Sequence, residues 1–100
     1  MADDVMRAPA PVPPVELSEE IRGLLVQLAD TLVRVHPGAA MNEAIRLARP
    51  LVLAEQLHGP GDEAFATEER LIAALPRVRD GQTRDEYATQ IRLIAQGVTQ

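Results

Sequence analysis

Glu55 and His58 form a Glu-x-x-His pair. On a helix the two side chains share a face, the arrangement by which carboxylate-bridged di-metal bundles hold their ions. A complete site needs a second such pair and two more inward carboxylates, whereas the chain has two histidines in all. A homodimer supplies the second copy by symmetry, so a dimeric carboxylate/histidine metal enzyme is one reading. The plainer reading is that His58, directly before Gly59-Pro60, sits at a helix C-terminus, where the dipole alone favours histidine. His36 stands before Pro37-Gly38 in the same way. The expectation is therefore no metal and no cofactor.

Four arginines in the last third, Arg77, Arg79, Arg84 and Arg92, suggest a different chemistry. Two helical segments joined by a turn over residues 71–98 give a loose helix-turn-helix outline, the basis for reading the chain as a DNA-binding regulator. The connection from Pro76 to Gln82 is longer than that motif's usual three or four residues. Asp80, Asp85 and Glu86 also offset the positive charge where a recognition helix would begin. Arg46 and Arg49, three apart, could grip a carboxylate or phosphate, although arginines on an apolar helix more often extend along it to reach water. The acid pairs Glu19-Glu20, Glu68-Glu69 and Asp85-Glu86 fall near predicted helix starts, where the dipole explains them. No Ser, His and Asp grouping accompanies them, and the expectation is a chain without catalytic residues.

Composition narrows the field further. With no cysteine, disulfides, thiolate metal sites and cysteine nucleophiles are excluded. One Tyr, one Phe and no Trp cannot build a base-stacking platform. A net charge of −5 argues against a surface for phosphate backbones or anionic lipids. All ten basic residues are Arg, a codon bias that predicts a GC-rich bacterial genome. No run of about 18 apolar residues could span a membrane. The start Met-Ala-Asp-Asp lacks the basic and apolar regions of a secretion signal, so a cytoplasmic location is expected.

The elements that must position these residues are helical throughout. Residues 1–16 carry Pro9, Pro11, Pro13 and Pro14 and are expected to form a disordered tail, leaving 17–100 as one domain. Ser18 is a good N-cap. Behind it Ile21, Leu24, Leu25, Leu28, Leu32 and Val35 repeat at helical spacing, predicting a helix over about 18–35. Residues 39–58, fenced by His36-Pro37-Gly38 and Gly59-Pro60-Gly61, are apolar most of the way round and are expected to form the central helix, covered by its neighbours. Pro50 predicts a kink within it, or two shorter helices meeting there. A third helix is expected over 62–75, capped by Asp62 or Thr67, with Ala64, Phe65, Leu71, Ile72 and Leu75 inward. A fourth is expected over 83–97, opened by the capping box Thr83-Arg84-Asp85-Glu86, with Tyr87, Ile91, Ile94 and Val98 recurring behind it.

The fold expected is an all-α four-helix bundle, its central helix kinked at Pro50. The function expected is non-catalytic: a small helical protein-protein interaction, regulatory or accessory protein. Two wide apolar helix surfaces and two narrow ones leave an excess to cover. A homodimer, or a complex with another chain, is expected, with Leu24, Leu25, Leu28, Leu32, Leu51 and Leu53 as the interaction surface.

Overall fold

Ser18 opens the first helix as its type predicts: its Oγ accepts a hydrogen bond from the Ile21 amide at 3.2 Å, and Glu19 and Glu20 follow at the positive end. Helix α1 runs Glu19–Arg34 in the computed structural model, which describes residues 17–97. The proline-rich tail 1–16 and residues 98–100, with Val98, lie outside the described residues. Ile21, Leu24, Leu25, Leu28, Ala29 and Leu32 form one buried stripe. The chain leaves the helix through His36, whose φ of 55° is a left-handed turn conformation, and Pro37-Gly38.

Helix α2 spans Glu43–His58, four residues later in its start than the apolar pattern predicts. Residues 39–41 are taken by another partner. The Met41 amide donates to the Gln82 carbonyl and the Arg84 amide to the Ala39 carbonyl, both at 2.9 Å, around an isolated antiparallel bridge between Ala40 and Thr83. Asn42 then caps α2, accepting from the Ile45 amide at 2.9 Å. The segment is one helix across Pro50, not two.

Helix α3 spans Asp62–Ala74. Its N-cap is Gly61, at a φ of 140° that suits glycine, and neither Asp62 nor Thr67 caps it; Thr67 is buried inside the helix. Helix α4 spans Arg84–Ala95 behind the expected capping box, with Glu86 N to Thr83 Oγ1 at 3.2 Å and Thr83 N to Glu86 Oε1 at 3.0 Å. Its first two amides, which a helix leaves without internal partners, donate to the Ala39 and Pro37 carbonyls. The irregular 37–41 segment thus completes the start of α4.

The four helices form a bundle of two close pairs, α1 with α4 and α2 with α3, with no strand among the described residues. Helix α1 packs most extensively on α4 and also meets both α2 and α3. It, and not α2, is therefore the central helix. Only Pro50, Leu53 and Ala54 of α2 are buried. A helix apolar on all sides can be covered only if surrounded, and three companions on a short chain cannot surround it. No helix among the described residues is long and apolar enough to cross a membrane.

Candidate functional site

The residues that sequence singles out for metal chemistry end in a cross-link between helices. His58, the last residue of α2, turns its Nε2 to Glu20 Oε2 at 3.1 Å. Thr67 on α3 donates its hydroxyl to the same oxygen at 3.3 Å. The His58 hydrogen bond, more than any other contact, holds the Glu20 carboxyl below its ordinary value; partial burial opposes it, and the His58 charge, Thr67 and Arg70 add to it. The order of contacts is wrong for nucleophile activation, because the carboxylate lies between hydroxyl and imidazole and the Thr67 side chain is buried. Among the described residues no three His, Cys, Asp or Glu side chains gather as a metal set, and Glu55 has no place in the His58 contact.

The arginines of the nucleic-acid reading are dispersed. Arg92 reaches back to α1, where Nη2 pairs with Asp30 Oδ1 at 2.9 Å. Arg84 Nε approaches the Ala40 carbonyl at 3.5 Å, while Arg77 and Arg79 are exposed on the connection after α3. Helices α3 and α4 each pack chiefly on a different partner, so the two helices of the outline are not a packed helix-turn-helix unit.

Arg46 is engaged within the fold. Its Nε donates to the Pro76 carbonyl at 3.1 Å, Nη2 to those of Ile72 and Leu75 at 3.3 and 3.4 Å, and Nη1 to Glu43 Oε2 at 2.8 Å. A guanidinium at a helix C-terminus satisfies carbonyls that have no internal donor and complements the dipole. The Tyr87 hydroxyl donates to the same Pro76 carbonyl at 2.6 Å, and burial pushes its phenol up to about 12. One carbonyl therefore ties α2, the end of α3 and α4 together. Among the described residues no buried side-chain nitrogen or oxygen lacks a partner.

The apolar surface is not where the sequence places it. Leu24, Leu25, Leu28, Leu32 and Leu53 are buried within the chain, and Leu51 is half-buried. The large apolar side chains left in solvent are instead Leu47 at 45%, Val52 at 49%, Leu57 at 53% and Phe65 at 55% exposure, all on the α2–α3 hairpin, together with Val26 and Val35. Phe65 was expected inward. The buried side of α3 is Ala64, Thr67 and Leu71, a spacing of three and four that counting Thr67 as polar conceals. Leu57 and Phe65 flank the Gly59-Pro60-Gly61 turn, while Ala44, Leu47, Ala48 and Leu51 follow one another at helical spacing on α2, bordering the stripe that holds Pro50 and Ala54.

A cleft of about 380 Å³ separates α1 from α2, with Gln27, Thr31 and Arg34 on one wall and Arg49, Val52 and Gln56 on the other. No protein-family model, curated protein or solved structure matches the chain.

Proposed function

We propose that this chain is a non-catalytic helical interaction protein of the bacterial cytoplasm, acting as a regulatory or accessory component, and that its first partner is a second copy of itself. The observation that supports this reading is the concentration of exposed Leu47, Leu57 and Phe65 on one hairpin. Water-exposed apolar groups of that size, grouped on two adjacent helices, favour association, because covering them removes apolar area from water. A two-fold dimer meets that need with the least machinery, since one face covers its own copy. The Ala44–Leu51 stripe of α2 suits it: Ala44 and Ala48 allow close approach between the larger Leu47 and Leu51.

Sedimentation equilibrium from micromolar to near-millimolar concentration tests the reading. The expected result is a dimer, dissociated by Leu47→Glu with the helical content unchanged. A monomer at every concentration that also fails to bind a hydrophobic dye overturns it.

A further inference from the structure

The cleft between α1 and α2 is lined by two arginines and one carboxylate. Its lining residues fall in antiparallel order on the two helices: Gln27 lies toward the same end as Gln56, and Arg34 toward the same end as Arg49. This order agrees with the contact of Glu20, at the start of α1, with His58, at the end of α2. Arg34 and Arg49 thus line the same end of the cleft. The one carboxylate lining it is Asp30, and that side chain is engaged by Arg92 at 2.9 Å. The cleft therefore carries an excess of positive charge in a chain whose net charge is −5. Leu28 and Leu53 lie beneath, and Val52 forms an apolar edge. At about 380 Å³ the space is that of a small-molecule site.

We infer that this cleft binds a small oxyanion, a carboxylate or phosphate, between Arg34 and Arg49, with a short aliphatic body against Val52, the exposed apolar residue of its lining. The oxyanion would accept the charge-assisted hydrogen bonds for which a guanidinium is shaped. Gln27 and Gln56 supply amide donors and acceptors at the other end, and Thr31 lines the cleft between them. The site is separate from the Ala44–Leu51 stripe of α2, so its failure and that of the dimer reading are read by different variants.

The test is an amide chemical-shift titration of the full chain, at ionic strength held constant with chloride, using sodium hexanoate and inorganic phosphate as separate probes. The expected result is saturable shifts at Gln27, Thr31, Arg49 and Gln56 in the millimolar range. Saturation by hexanoate alone assigns a carboxylate with an aliphatic body, and saturation by phosphate assigns a phosphate. Arg34→Gln and Arg49→Gln should each weaken binding about tenfold. Should Arg49→Gln disturb the fold, Arg34→Gln, altered at an exposed side chain, carries the test by itself. A matching readout is the melting temperature, which the bound probe should raise in the wild-type chain and not in Arg34→Gln. Shifts that do not saturate with either probe, or equal affinity in the wild type and a folded variant, overturn the inference.

Discussion

Helices α1 and α2 have the same length, 16 residues, and both are rich in leucine, yet α1 buries six residues and α2 three. In α1 the leucines fall at spacings of three and four, so one side of the helix meets α4, α2 and α3 at once. In α2 the apolar residues surround the axis, and the fold can use only the sector that faces its neighbours. The same contrast divides the helix pairs. The α1–α4 pair supplies most of the core, including Leu25, Leu28, Tyr87, Ala88 and Ile91. The α2–α3 hairpin carries four of the six exposed large apolar side chains. Apolar content alone does not decide burial; its angular distribution does. On the proposed reading, one pair holds the fold and the other meets partners.

The sharpest way to break that comparison is to truncate one leucine in each region. Leu25→Ala removes a side chain with no exposed surface and should cost about 2–5 kcal/mol in urea denaturation, enough to unfold much of a small domain. Leu47→Ala, at an exposed position, should cost the monomer less than about 0.5 kcal/mol. Comparable losses would show that α2 packs as tightly as α1.

A smaller effect is expected inside the α2–α3 hairpin. Arg46→Met removes the donor to three carbonyls at the end of α3 and should cost about 1–3 kcal/mol, while Tyr87 continues to donate to Pro76. An unchanged denaturation midpoint would mean that apolar contact, and not the guanidinium, joins α2 to the end of α3.

The smallest effect belongs to the Glu20–His58 cross-link. Because the folded chain holds the Glu20 carboxyl below its ordinary value of 4.5, its contribution is present above that pH and is lost as pH falls through the lower folded value. The site is more than a third open to water on the Glu20 side, and screening limits the contribution to about 0.2–1 kcal/mol. Urea midpoints of Glu20→Gln and the wild type should therefore differ at pH 6 and converge below pH 4.5. A gap that persists unchanged into acid would show that the carboxylate charge is not what holds the contact.

Much of the secondary structure was legible because its signals are local. Ser18, the Thr83–Glu86 capping box and the breakers around 36–38 and 59–61 act within a few residues of themselves. The start of α2 was misread because Ala39, Ala40 and Met41, good helix formers, are claimed by amides and carbonyls about 40 residues away. The role of Arg46 was hidden for the same reason, its carbonyl partners lying 26 to 30 residues on. A strong apolar stripe does not announce whether it will meet its own chain or another, and five of the six leucines expected at an interaction surface are buried within the chain. The Leu24–Leu32 stripe met α4.

The sequence by itself determined that this chain is helical, which residues cap α1 and α4, and which face of α1 must be buried, since these follow from backbone hydrogen bonding and a 3.6-residue period. Only the tertiary structure decided which helix is central, which apolar residues remain in water, and that Arg34 and Arg49 line one cleft. Each of those depends on which helices become neighbours, and that choice is made by the competition of all four surfaces for one small core.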